Sequence, residues 1–315
     1  MKHLEARNDI AYSSFHQNCY KKDDTEEKET KEEDYFFHIC ERMDELSSPP
    51  QSLRSQINEF NIRAKKQYGQ NFLIEANIIH KIIVKSEVQP GEHVLEIGPG
   101  LGFLTSALLE AGARVTAVEK DPELVELLTA KFEGNQNLTL IEGDILSSYL
   151  PPRPYRVIAN IPYNITSPIL HLFLLAKDEV RPTSLTIMMQ KEVGKKLMER
   201  GDYTSLLSLL VDMTCTEKKI ITGVSPQCFH PAPRVDSSVI YLKLKDAIDL
   251  SLVEKAYSLA QRAFSGKRKM LKNTLADSFG ELDLDTVMQS VSIKPDSRPE
   301  HLSIQNWLDL AGALM

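Results

Sequence analysis

The chain has 315 residues, 42% of them apolar and 26% charged, and a formal net charge of −7. That composition is ordinary for a globular chain with room for one large domain or two smaller ones, and no run of 18 apolar residues offers a membrane span. The acidity argues against a nucleic-acid partner only in bulk: residues 1–60 hold 8 Lys/Arg against 14 Asp/Glu, leaving 29 against 30, so the remainder can still carry a basic face.

In chain order, MKHLEARNDI lacks the apolar core of a secretion signal, and the acids that follow argue against a mitochondrial transit peptide. Residues 1–60 read as an acidic, disordered leader. KKDDTEEKETKEED has no apolar period, DYFFHICERMDEL can form one amphipathic helix, and SSPPQS is a linker. From residue 61 the pattern changes. NFLIEANIIHKIIVKSEV has helical spacing. The short apolar runs HVLEIG, ARVTAVE, NLTLIEGD, YRVIAN and SLTIMM follow, with helical patterns between most of them. Alternating strands and helices imply an α/β, doubly wound parallel sheet. KKIITGV and SSVIYLKL are expected to pair antiparallel on its edge, completing a domain over 61–248. Residues 249–315 have helical spacing and form a small α-helical C-terminal domain. Cys19, Cys40, Cys215 and Cys228 are dispersed with no CxxC pair, which favours reduced thiols in a cytoplasmic setting over a zinc site.

EIGPGLG places Gly98, Gly100 and Gly102 directly after a strand and before the helix FLTSALLEAG. The spacing is GxGxG, not the GxGxxG of dinucleotide-binding proteins. It reads either as a bare main chain against which a ligand lies or as a tight turn alone. The next strand ends in Glu119, an acceptor for both ribose hydroxyls, and the third in Gly143-Asp144, whose carboxylate can accept from an adenine amino group. Capping of the following helices is the competing role for both acids. Polar groups at three successive strand ends fit S-adenosylmethionine better than NAD.

YRVIA then breaks off into NIPYN. A proline two residues past Asn160 ends the strand and leaves an amide and a phenol at its tip. A plain strand-ending turn would use the same residue types.

The series QYGQNFL, EIGPGLG, VEKD, GD, NIPYNI and FHPAPRVDS resembles the rRNA adenine N6,N6-dimethyltransferases, and within them the kasugamycin-resistance type acting on small-subunit rRNA. The likeness runs from Arg63 to the C-terminus. It implies a Rossmann-like, class I S-adenosylmethionine-dependent sheet and no metal. By position it implies that Asn71 and Leu73 close over the cofactor. Gly98, with Gly100 beside it, faces the methionine part, Glu119 holds the ribose, and Asp144 and Ile145 flank the adenine. Asn160 touches the methionine end and the target base. The Asn160 amide oxygen and the Ile161 carbonyl would accept the two hydrogens of an exocyclic adenine amine and aim its delocalised lone pair. Pro162 fixes the backbone, and Tyr163 gives the base a face to stack on. Phe229, in CFHPAPRVDSS, is a second stacking surface by the same likeness, and a core aromatic otherwise. Two methyl groups per adenine are also implied by the resemblance.

The basic patch hidden by the bulk charge lies in RAFSGKRKMLKNTL, where Lys267, Arg268, Lys269 and Lys272 can neutralise phosphates or form a solvated helix face. The family tends to carry arginine at the position of Lys267. Lys191, Lys195, Lys196 and Arg200 form a second cluster, and Arg63, Lys65 and Lys66 a third. The histidines form no metal-ligand or Ser-His-Asp pattern, and His80 and His171 read as structural. The expected function is dimethylation of adjacent adenosines in the 3′-terminal hairpin of small-subunit rRNA by a monomer acting on a pre-ribosomal 30S-type particle. The alternatives are a large-subunit, macrolide-resistance methyltransferase, or an assembly factor on the same fold without transfer activity. A DNA adenine methyltransferase would more often show Asp/Asn-Pro-Pro-Tyr.

Overall fold

The structure is a computed structural model that describes residues 64–148, 150–198, 205–266, 269–279 and 283–314, without the side chains of residues 277 and 278. The leader, Arg63, Arg200, Lys267 and Arg268 lie outside the described residues.

Chain order among these residues begins with a two-residue strand, β1 (Phe72–Leu73), and helix α1 (Ala76–Ser86). This corrects the expectation of one helix through NFLIEANIIHKIIVKSEV. Phe72 and Leu73 pair instead with a distant strand, and the helical period starts only after Glu75. A short apolar run is ambiguous in period, and here a tertiary partner decides it. Ile78, Ile79, Ile82 and Ile83 then form the buried stripe of α1.

β2 (His93–Ile97), α2 (Phe103–Glu110), β3 (Arg114–Glu119), α3 (Pro122–Lys131), β4 (Leu138–Glu142), β5 (Arg156–Asn160), α4 (Thr166–Leu174) and β6 (Ser184–Gln190) build the parallel sheet. β2, β5 and β6 are buried almost throughout, as parallel strands covered on both faces must be. α5 (Lys191–Leu197) and α6 (Leu206–Thr214) lead into β7 (Cys215–Val224), the short β8 (Phe229–His230) and β9 (Ser237–Leu244). The seven-stranded order is β4-β3-β2-β5-β6-β9-β7; β9 runs antiparallel to β7, as read from the sequence, and also to β6. β1 and β8 form a separate antiparallel pair, with Leu73 opposite Phe229 and Phe72 opposite His230.

The C-terminal helices are α7 (Leu250–Phe264), α8 (Leu271–Phe279), α9 (Leu284–Ser290) and α10 (Ile304–Ala313). α10 opens with a capping box in which Ser303 and Asn306 satisfy each other's backbone N–H. One buried cluster runs from Leu95 and Val157 on the strands through Phe173 on α4 and Tyr257 on α7 to Trp307 on α10. His171 joins the two parts directly, its Nε2 lying 2.7 Å from the Tyr257 hydroxyl.

Trp307 is the chain's sole tryptophan and packs against Phe264 with ring centroids 6.3 Å apart. A core shared this way makes sheet and C-terminal helices one cooperative unit. Trp307 fluorescence and far-UV circular dichroism should therefore report the same urea midpoint. Two separated midpoints would show helices that unfold independently.

Candidate active site

The carboxyl ends of β2, β3 and β5 open onto a cleft of about 1200 Å³, its mouth included. Open α/β sheets bind ligands at this end. Asn71, Leu73, Gly98, Gly100, Glu119, Asp144, Ile145, Asn160, Ile161, Pro162 and Tyr163 all line it, so strap, glycine turn and strand ends meet as the spacing required.

The glycine turn leaves β2 with Gly98 at φ +62° and Gly100 at φ +60°, a region side chains rarely adopt. A Cβ on Gly98 would project into open space, with no heavy atom within 4 Å, and one on Gly100 would approach Phe72 Cδ1 at 3.0 Å. The main chain is thus bare toward the cleft. The Gly100 N–H donates to Glu119 Oε2 at 3.1 Å, and Glu119 Oε1 accepts from the N–H groups of Lys120 and Asp121 at 2.8 and 2.9 Å. Oε1 is filled, while Oε2 has taken one donor and can take a hydroxyl. Burial pushes the Glu119 carboxyl above its usual range against those three hydrogen bonds. Asp144 caps its own turn, Oδ1 accepting from the Leu146 N–H at 3.0 Å, while Oδ2 pairs with Lys120 Nζ at 2.8 Å. The lysine holds its carboxyl below the usual range. Capping and ligand contact therefore do not compete at Glu119 or Asp144, because each retains acceptor capacity.

β5 ends at Asn160 and the chain passes through Pro162, at φ −57° and ψ 135°, into the turn that carries Tyr163. Asn160 Nδ2 donates to the Asn71 carbonyl at 3.1 Å, which leaves Oδ1 as the free end of the amide. The Tyr163 hydroxyl lies 2.6 Å from Ser237 Oγ, and burial raises it above the usual phenol range. Over the opposite wall, the strap before β1 is latched at α3. Lys65 Nζ and Gln70 Nε2 donate to the two oxygens of Asp121, at 2.7 and 3.0 Å.

Phe229 stands apart. It is 2% exposed, does not line the cleft, and pairs behind Leu73. Its ring has no open face for a base in this conformation.

Sequence reasoning passed over Glu96, which lines the cleft yet is 1% exposed. Its Oε2 accepts from Thr105 Oγ1 at 2.7 Å. It also missed Lys120, Gln70, Asp121 and Ser237, although each sits inside a motif it quoted. Among the basic residues, Lys65 is paired with Asp121 and Glu123, Lys191 with Asp236, Lys195 with Glu192, and Lys272 with Asp285. Lys66, Lys196 and Lys269 are exposed. The Lys191, Lys195 and Lys272 pairs lie at the surface, where such pairs are worth about 0–1 kcal/mol and exchange readily for phosphate, whereas Lys65 sits on the buried Asp121. Among the described residues no cluster of His, Cys, Asp and Glu is placed to hold a metal ion, and no helix is long and apolar enough to cross a membrane.

Residues 61–314 match the family model described as ribosomal RNA adenine dimethylase. The chain belongs to that family. It is 34% identical to a ribosomal RNA small subunit methyltransferase A of Dehalococcoides mccartyi, over 84% of this chain and 94% of that protein. With the protein of that description from Protochlamydia amoebophila the identity is 36%, over 83% and 95%. Among solved structures it is similar to a 23S rRNA methyltransferase, ErmE, with a TM-score of 0.60 and 27% identity over 78% of this chain and 99% of that one. A dimethyladenosine transferase from Plasmodium falciparum gives a TM-score of 0.67 at 24% identity, covering 75% and 94%. The sheet of this family member is thus the Rossmann-like sheet of class I S-adenosylmethionine-dependent methyltransferases, with a helical C-terminal part.

Glu96 gives a stability test. Burial, aided by the nearby Glu119 charge and opposed by the Thr105 hydrogen bond, pushes its carboxyl from 4.5 to about 8. Between those values the unfolded chain has released a proton that the folded one retains, so this group's contribution to stability falls as pH rises from about 4.5 to about 8. Glu96→Gln should flatten that fall, so the two unfolding midpoints diverge between pH 5 and pH 8. Parallel curves would place the carboxyl in a wetter setting.

Proposed function

We propose that this protein transfers methyl groups from S-adenosylmethionine to N6 of two adjacent adenosines in the 3′-terminal hairpin of small-subunit rRNA, two groups per base. The observation that supports the mechanism is the hydrogen bond from the Asn160 amide nitrogen to the Asn71 carbonyl, which leaves the amide oxygen as an acceptor in a residue that lines the cleft. The relatives at 34–36% identity are small-subunit enzymes, whereas the 23S enzyme is 27% identical, which favours the small subunit as substrate.

The site fits the methyl donor. The bare turn at Gly98 and Gly100 offers main chain to its methionine part, and Glu119 Oε2 has an acceptor site left for a ribose hydroxyl. Asp144 and Ile145 flank the adenine, and Asn71 and Leu73 cover the whole. When bound, the donor supplies a methyl carbon on a sulfonium, already an excellent leaving group.

The residues of the chain then have to position a poor nucleophile. Asn160 Oδ1 and the Ile161 carbonyl accept the two amine hydrogens and turn the nitrogen lone pair toward the donor. Pro162 holds that backbone, and Tyr163, steadied by Ser237, presents a ring face to the extruded base. Phe229 supports this wall from behind Leu73. Each transfer would exchange one S–C bond of the donor, whose sulfonium becomes a neutral thioether, for one N–C bond, and the amine proton passes to solvent, so no strong base is needed. Positioning of this kind supplies roughly 7–11 kcal/mol in favourable cases.

Exposed Lys66, Lys196 and Lys269, with Arg63, Lys267 and Arg268, bind the rRNA backbone, Lys191, Lys195 and Lys272 join them by exchanging carboxylate for phosphate, and Lys65 adds its charge while staying on Asp121. We place this reaction in the cytoplasm, on a pre-ribosomal 30S-type particle and by a monomer. The free thiols of Cys215 and Cys228 suit a reducing compartment.

Incubation of unmethylated small and large subunits together with enzyme and labelled donor, followed by mass mapping, should place four methyl groups on two neighbouring adenosines of the small-subunit 3′ hairpin. Labelling confined to large-subunit rRNA would reverse the choice of substrate. Asn160→Ala should lower the transfer rate about 100-fold with RNA binding retained; near-normal turnover would remove the aiming role. Replacing Lys267, Arg268 and Lys269 by Ala should weaken binding and lower the salt slope by about 1 per lost phosphate contact. An unchanged slope would free those residues from any RNA role.

A further inference from the structure

The loop 231–236, between β8 and β9, is held at both ends and unpartnered at its crest. Upstream, Phe229 pairs with Leu73, and the Ile74 N–H donates to the Cys228 carbonyl at 2.9 Å. Downstream, Ser237 Oγ lies 2.6 Å from the Tyr163 hydroxyl. The Lys191 N–H donates to the Asp236 carbonyl at 3.0 Å, and Lys191 Nζ pairs with the Asp236 carboxylate at 3.0 Å. Pro231 and Pro233 fix φ at two points between. A loop clamped this way presents its crest in one place.

Two side chains stand on that crest. Arg234 is exposed and makes no hydrogen bond or ion pair among the described residues. Lys120, which lines the cleft, and Lys191, which holds the end of this loop, are each paired with a carboxylate. Val235 is 45% exposed, so this segment offers an aliphatic side chain to solvent, whereas its aromatic, Phe229, is 2% exposed. Three residues span at most about 10 Å. Arg234 therefore sits within reach of a phosphate one or two nucleotides from whatever lies on Tyr163.

We propose that Arg234 and Val235 hold the RNA open around the extruded adenosine, Arg234 by binding a flanking phosphate and Val235 by covering the base face exposed when the target leaves its stack. The inference rests on the rRNA-methylating function proposed above. Extruding a base costs unstacking energy and bares an apolar surface, and proteins that distort nucleic acids commonly place an aliphatic wedge there. A planar guanidinium matches a phosphate with two parallel hydrogen bonds, which an ammonium cannot do. Among the described residues Arg234 has no hydrogen-bond or ion-pair partner to lose, and Val235 is only partly covered.

The test uses the full chain and a small-subunit 3′ hairpin RNA, once native and once with 2-aminopurine at a target adenosine, whose fluorescence rises on unstacking. Arg234→Ala should raise the KM for RNA about 10-fold with little change in kcat and reduce the salt slope of binding by about 1. Arg234→Lys should restore the slope and only part of the KM. Val235→Ser should lower kcat several-fold and diminish the 2-aminopurine signal at saturating RNA, with KM near that of the parent. Thermal midpoints and S-adenosylhomocysteine binding should be unchanged in all three. Parent-like KM, slope and fluorescence would overturn the inference, as would losses that track a fall in thermal midpoint. If the parent enzyme transfers no methyl group, the functional reading fails, and the salt-slope and fluorescence arms, which need no turnover, still decide the roles of Arg234 and Val235.

Discussion

What the cleft can do to an amine depends on which way the Asn160 amide faces. An amide turned about its last bond would offer two donors where the amine needs an acceptor. The Asn71 carbonyl prevents this by accepting from Nδ2 at 3.1 Å. Asn71 lies in the strap just before β1, and Asn160 ends β5 on another wall of the cleft. The two halves of the site are therefore joined through one backbone oxygen.

That oxygen is placed by supports on either side. Toward α3, Lys65 and Gln70 grip both oxygens of Asp121, whose own N–H is bound by Glu119. Toward the late part of the chain, β1 pairs with β8. The strap thus reaches Glu119 through Asp121 at one end and pairs with β8 at the other, so hydrogen bonds link it to both walls of the cleft.

Much of the arrangement could be read from the sequence, for identifiable reasons. Glycine and proline mark where strands must end, and an acid at a strand end stands out against an apolar run. HVLEI-GPG, ARVTAVE and YRVIA-NIP therefore announced β2, β3 and β5 together with the groups at their tips. β1 was harder, because two apolar residues before an amphipathic helix have no period of their own, and their partner lies at Phe229 and His230. The burial of Phe229 was hidden for the same reason. The commitments of Lys65, Lys191, Lys195 and Lys272 to carboxylates need a fold before they can be seen. Glu96 was obscured by its position, one residue inside a strand whose glycine turn drew the attention.

The pairing of β1 with β8 also orders events in time. During synthesis the glycine turn, Glu119 and Asn160 emerge while the strand that must seal the strap is still unmade. Contacts so far apart in the chain close late and slowly. A nascent chain therefore has an open, unfinished cleft until Phe229 and His230 have emerged, well after Asn160 has done so.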